Sequence, residues 1–317
     1  MLRTVGAGQY SGRVFDHYQE VSGEPVDEAE RFDRALEDRD WTVPAPGSVA
    51  STFAAPSGEL AVVSLGNPRH PRVVLMPGVS GSKEDFVLML PVLAAAGFYI
   101  QSFDIAGQYQ SGKAGPPRGA HYDYDLFAND LIAFLEDGSP AHLLGYSFAG
   151  TIAQLVLVRR PDLVRSLTLL ATPPEPGNGF RRVRGLGPYT FLVGGRVGAA
   201  LMTWGITSNK NHVSPLRLDF VRMRFDFTSR RSMEDIIRMM KHAPDLRAQV
   251  AASRVPKLVA VGSHDLWPTE LHAAFAEQIG AQLVVYPTGH SPCETAPNQL
   301  SRDMIALFGD SAEGDAN

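Results

Sequence analysis

Ser147 is the side chain of this 317-residue sequence best placed for covalent chemistry. It lies in Gly145-Tyr146-Ser147-Phe148-Ala149-Gly150, after His142-Leu143-Leu144 and before Thr151-Ile152-Ala153-Gln154-Leu155-Val156. These flanks predict a strand entering and a helix leaving, with the serine hydroxyl above the sheet in the sharp turn between them. Small residues two before and two after relieve crowding in such a turn. A helix starting directly behind the serine offers free N–H groups and a positive dipole end to a developing oxyanion. A serine hydroxyl is a weak nucleophile near neutral pH, so it needs an oriented base. Asp265 lies in Gly262-Ser263-His264-Asp265-Leu266-Trp267-Pro268 and His290 in Thr288-Gly289-His290-Ser291-Pro292. Plainer readings stand beside each: the serine string arises by chance, Asp265 suits a turn or the cap of a helix from Thr269, and Gly289-His290 suits a turn.

The elements that would position these residues follow from hydrophobic period. Ser48–Ala54 and Glu59–Leu65 read as a hairpin about Pro56-Ser57-Gly58. From Arg72 onward short β-rich runs alternate with helical ones. Strands are expected at Arg72–Met76, Phe98–Asp104, Ala141–Tyr146, Val164–Ala171, Lys257–Gly262 and Gln282–Tyr286. Helices are expected at Lys83–Ala95, Asp125–Glu136, Phe148–Arg159, Thr269–Ile279 and Gln299–Leu307. Alternation of this kind implies an α/β fold with a mostly parallel, doubly wound sheet, to which the hairpin adds an antiparallel edge. A breaker cluster, Thr172-Pro173-Pro174-Glu175-Pro176-Gly177, opens an interruption too long for a plain sheet connection. It contains helical pieces at Pro215–Phe225 and Ser232–Lys241 and reads as an inserted helical cap. The expected organisation is an N-terminal extension over residues 1–47, a core over 48–172 and 256–317, and a cap over 173–255. In the extension only Glu24–Asp40 suggests structure, a short surface helix with Ala29, Phe32, Ala35 and Leu36 at helical spacing.

The serine string and its setting resemble the nucleophile elbow of the α/β-hydrolase superfamily, with the likeness running from about residue 48 to 308. The departure is Ala149, where the usual pattern has glycine. The resemblance implies the chain order Ser…Asp…His, and Asp265 and His290 fall after the appropriate strands, 118 and 25 residues along. The roles it implies are Ser147 as nucleophile, His290 as general base and acid, and Asp265 as the group that orients the imidazole. It also implies an oxyanion hole from two backbone N–H groups, Val79 in the turn after the first parallel strand and Phe148 after the nucleophile. The turn carries Pro77 where relatives have histidine. A phosphate-loop reading of that turn fails, because Gly81-Ser82-Lys83 lacks the Gly-Lys-Ser/Thr ending. Asp104, in a loop whose Asp and Ser mostly hold local backbone in this superfamily, is not expected to be catalytic. An aspartate at position 147 would have pointed to an epoxide hydrolase or haloalkane dehalogenase; serine argues against both.

Substrate choice should lie in the cap, where Tyr189, Trp204, Arg222 and Arg224 are candidate contacts among a wider set of aromatics and arginines. Residues 181–254 hold 14 Lys/Arg against 5 Asp/Glu, although the whole chain is at −5. The bland reading is packing aromatics and a solvated basic face; the sharper one is an arginine that grips a substrate carboxylate or phosphate. Nucleic acid is a poor partner, since the rest of the chain is acidic and no reading motif is present. A single cysteine, Cys293, excludes intrachain disulfides and multi-thiolate zinc sites. Composition is that of a globular protein, 44% hydrophobic and 20% charged. No secretory signal or convincing membrane span is read, so the expected location is cytoplasmic. The expected activity is that of a serine esterase or related hydrolase acting on a small-molecule ester, thioester, lactone or kindred carbonyl compound, with an anionic substrate a candidate. No cofactor and no metal are implied, and oligomeric state is left open. A ligand-binding or scaffold protein, and a cofactor-free haloperoxidase or acyltransferase, are the alternatives.

Overall fold

The central strands split their side chains between two cores. In β3 (Arg72–Met76), Val73 and Leu75 face one hydrophobic cluster while Val74 and Met76 face the other. In β7 (Lys257–Gly262), Leu258 and Ala260 take the first side and Val259 and Val261 the second. This period of two buries both faces and so calls for a helical layer on each. The computed structural model, which describes residues 27–184, 200 and 213–314, has both layers. The remaining strands are β1 (Val49–Ala55), β2 (Gly58–Leu65), β4 (Tyr99–Phe103), β5 (Ala141–Tyr146), β6 (Val164–Leu170) and β8 (Gln282–Tyr286). They form one sheet in the order β1-β2-β4-β3-β5-β6-β7-β8. β1 pairs antiparallel with β2 and β2 with β4, and every later pairing is parallel. The sequence-predicted α/β fold with its antiparallel leading hairpin is therefore present.

One layer contains α3 (Tyr124–Glu136), α4 (Phe148–Arg159) and α8 (Thr269–Ile279). The other contains α2 (Met89–Ala95) and α10 (Pro297–Gly314), whose Leu300, Met304, Leu307 and Phe308 form a stripe at helical spacing. The predicted Lys83–Ala95 helix is broken into a 3₁₀ turn, Lys83–Phe86, and α2. Pro91 explains the break, because it has no N–H to continue the ladder and its ring crowds the carbonyl four residues earlier. Between β6 and β7 lie α5 (Pro215–Phe227), α6 (Arg230–Met240) and α7 (Arg247–Ala252), and after β8 comes the short α9 (Pro292–Thr295). No described helix is long and apolar enough to cross a membrane.

α1 (Glu28–Arg34) is present, but its inward residue is not the apolar one suggested by spacing. Phe32 is 54% exposed, whereas Asp33 is buried. Its carboxylate accepts from the backbone N–H of Asn298 and Gln299 and from both side-chain amides, at 2.8–3.0 Å. Asp33 thus caps the open first turn of α10 from a distant part of the chain. Trp41 is buried too, with the Arg217 guanidinium over its ring at 4.4 Å.

Candidate active site

Parallel strands deliver their following loops to one edge of the sheet, where ligands of open α/β sheets bind. The loops after β3, β5, β7 and β8 carry Val79, Ser147, Asp265 and His290 respectively. Ser147 has φ 54° and ψ −120°, a conformation that non-glycine residues seldom adopt. It is held there by Ser147 N–H donating to Leu170 O at 2.8 Å and Gly150 N–H donating to Ser147 O at 2.9 Å. Ala149, the departure from the usual glycine, fits with its side chain fully buried. Close approach falls one residue later: a Cβ on Gly150 would lie 1.9 Å from Thr172 Oγ1.

Ser147 Oγ lies 3.2 Å from His290 Nε2, and His290 Nδ1 lies 2.5 Å from Asp265 Oδ1. The carboxylate only accepts, so Nδ1 carries the proton and Nε2 presents its lone pair to the hydroxyl. The side chain of Asp265 is fully buried and that of His290 is 23% exposed. Burial pushes the Asp265 carboxyl up, but hydrogen bonds from His272 and His290 outweigh it and hold the group down at about 2. Two backbone bonds join the acid loop to the histidine loop: Ser263 N–H to Tyr286 O at 2.7 Å and His264 N–H to Thr288 O at 2.9 Å. Tyr146 adds a third brace, its hydroxyl 2.8 Å from Ser291 Oγ. His264 turns away, with Nδ1 on Ser263 Oγ at 3.0 Å.

The turn after β3 lies against the nucleophile, since a Cβ on Gly78 would be 3.1 Å from Ser147 Cβ. Among the described residues, no hydrogen bond is made by Val79 N–H or Phe148 N–H, the first helical amide of α4. Two amides free to donate beside a serine are what a transient oxyanion requires. The turn itself is gripped by the segment between β6 and β7. Ser80 N–H donates to Gln108 Oε1, and Gln108 Nε2 donates to Ser232 Oγ on α6. Arg224 on α5 donates to Ser82 Oγ at 3.1 Å and to Asp85 Oδ1 at 2.7 Å.

Arg224, one of the candidate substrate contacts read from sequence, has Ser82 and Asp85 as its partners. It is 5% exposed and belongs to a buried cluster with Asp85, Arg217 and Glu294. Burial raises both carboxyls; the two guanidiniums win at Asp85, which is held below its usual range. At Glu294, which pairs with Arg217 and faces Asp85, burial wins and the carboxyl is pushed up. Arg222 is half-exposed, 3.8 Å from Asp219. Tyr189 and Trp204 lie outside the described residues. Asp104 holds local backbone, accepting from Lys83 N at 2.8 Å and Gln110 N at 3.2 Å. Among the described residues no group of three or more His, Cys, Asp or Glu side chains could hold a metal ion.

His272 escaped the sequence reading. It is fully buried on α8, and its Nε2 lies 2.8 Å from Asp265 Oδ2. The available signal was positional: His272 opens the buried stripe that continues with Phe275, Ala276 and Ile279, seven residues after the acid.

The sequence profile of the alpha/beta hydrolase family matches residues 73–302. The bifunctional epoxide hydrolase 2 of Rattus norvegicus is 30% identical over 138 residues, 42% of this chain and 24% of that protein. The chain thus matches about a quarter of that relative's length. Among solved structures, an esterase (EaEST) from Exiguobacterium antarcticum superposes with a TM-score of 0.69 at 21% identity, covering 82% of this chain and 100% of that one. The enol-lactonase from Burkholderia xenovorans LB400 gives 0.68 at 18% identity, with 82% and 100% covered. Likeness at these identities establishes the fold.

Proposed function

This chain belongs to the alpha/beta hydrolase family, and from that premise we propose that it is a serine hydrolase that cleaves small carbonyl compounds through a covalent acyl-enzyme. The observation that carries the reading is the continuous relay Asp265–His290–Ser147, at 2.5 and 3.2 Å, on a serine held at φ 54°. Ser147 Oγ attacks the carbonyl carbon while its proton passes to His290 Nε2. The oxyanion that forms takes the N–H groups of Val79 and Phe148. His290 then protonates the leaving alcohol or thiol as its bond to the acyl carbon breaks. Water attacks the acyl-enzyme, gives its proton to His290, and the acid leaves as Ser147 Oγ regains a proton. Asp265 stays ionised throughout and stabilises the imidazolium.

The substrate class is an ester, thioester, lactone or related carbonyl compound, and the same acyl-enzyme would serve transfer to an alcohol. Serine as nucleophile separates this chemistry from epoxide opening. The segment between β6 and β7 acts as the cap over the site, because α5 and α6 are both fastened to the oxyanion turn. Arg224 is buried and gives its guanidinium to Ser82 and Asp85, so it is not proposed as a substrate contact.

A fluorophosphonate probe tests the proposal without knowledge of the substrate. The wild-type protein is expected to label at Ser147 and Ser147→Ala to remain unlabelled at equal thermal stability. Folded wild-type protein that does not label would remove the activated serine, and with it the hydrolase reading in favour of a binding protein on this fold.

A further inference from the structure

We propose that His272 is a positioning residue for the Asp265–His290 pair, an inference that rests on the hydrolase reading above. Asp265 has two oxygens in a site with no access to water, and each needs a donor. His290 takes Oδ1 and His272 takes Oδ2, at 2.5 and 2.8 Å. Both imidazoles must therefore carry hydrogen on the nitrogen that faces the carboxylate: Nδ1 in His290 and Nε2 in His272.

The His272 ring also packs edge-on against Trp267, with centroids 6.2 Å apart. Its Nδ1 is buried with no hydrogen-bond partner among the described residues. A buried ring with one polar atom unmatched is a poorer filler of an apolar stripe than leucine or methionine would be. What the imidazole adds over those is one donor, aimed at Oδ2. That donor fixes the plane of the Asp265 carboxylate by tying it to α8, a three-turn helix seated on the core. With the plane fixed, Oδ1 stays on the line to His290 Nδ1 and Nε2 stays on the line to Ser147. Without it the carboxylate can rotate about its last torsion, and the base loses its aim.

The experiment compares His272→Met with His272→Gln. Methionine fills the space without a donor, whereas the glutamine amide nitrogen reaches about as far as Nε2. The readout is the rate constant and the half-saturating concentration for fluorophosphonate labelling of Ser147, with a thermal melt on each variant. The maximal labelling rate of His272→Met is expected to fall about 10- to 100-fold with little change in half-saturation, the scale of a misplaced catalytic group. His272→Gln is expected to recover most of that loss. Should His272→Met not fold, His272→Asn replaces it: its amide is polar but too short for Oδ2, and the same loss is expected. A wild-type labelling rate in His272→Met or His272→Asn, or an equal loss in His272→Gln, would overturn the positioning role. If wild-type protein itself fails to label, the hydrolase reading fails, and that outcome is distinct from a variant that labels as well as wild type.

Discussion

Replacing Asp85 with asparagine should be among the most damaging single changes in the molecule outside the apolar core. Asp85 Oδ1 receives Arg217 and Arg224, each at 2.7 Å, and all three side chains are 2–5% exposed. At charge separations near 4 Å and an effective dielectric constant near 20, each pair attracts by about 4 kcal/mol before desolvation. Asp85→Asn leaves both guanidiniums buried with Glu294 as their remaining carboxylate in the cluster, so a loss of about 3–5 kcal/mol is expected. Glu294→Gln should cost about half as much; one guanidinium touches Glu294, and its carboxyl is already pushed up. Urea titrations at neutral pH, with the slope m held constant across variants, measure both. The double variant Asp85→Asn with Arg224→Met should lose less than the sum of the two singles, by about 1–3 kcal/mol. Since Asp85 also accepts from Ser82 N–H at 3.2 Å in the turn after β3, the proposed source of one oxyanion amide, the folded fraction of Asp85→Asn should label slowly with fluorophosphonate. An Asp85→Asn midpoint within about 1 kcal/mol of wild type, or a larger loss for Glu294→Gln, would refute the reasoning.

Gly150→Ala should lower the melting temperature despite alanine's helix preference of about 1 kcal/mol, because overpacking costs about 1–3 kcal/mol. Adding Thr172→Ala should return part of the loss, since it removes the two nearest colliding atoms while Cβ stays 2.8 Å away, and Thr172 Oγ1 has no hydrogen bond to forfeit among the described residues. Burial pushes the Asp130 carboxyl up to about 6, against hydrogen bonds from Ser57. The folded state then binds more protons than the unfolded one between about pH 4 and 6, so stability contributed by this group falls as pH rises through that window. Asp130→Asn should therefore match or exceed wild type at pH 7 by at most about 3 kcal/mol, with the gap closing by pH 4.5 in paired urea titrations.

The parts of the site that were legible in sequence are those fixed by local pattern. The run of apolar strand, Gly-x-Ser and apolar helix specified the turn at Ser147, and the ends of β7 and β8 placed Asp265 and His290. What stayed hidden depends on partners far away in the chain. Arg217 and Arg224 look like any surface arginines until Asp85, 132 and 139 residues away, is folded against them. Asp33 reads as one charge in a charged run, because nothing near it announces the amides of Asn298 and Gln299. His272 sits at a core position of an ordinary amphipathic helix, and only the approach of the β7 loop turns it toward Asp265. Local periodicity carries which face is buried; it does not carry which charges meet there.

The Asp33 contact sets an order of events in time. It joins residues 265 apart, so the carboxylate that caps α10 emerges long before the helix it caps. At roughly 5–20 residues per second, synthesis leaves Asp33 without Asn298 for roughly 13 to 53 s. His290 and β8 also arrive late. A chain made only as far as β6 already contains Ser147 and still lacks His290, the base of the proposed relay. The clasp between α1 and α10 therefore closes only after the loops that carry Ser147, Asp265 and His290 have been made, and the carboxylate of Asp33 is the end left waiting.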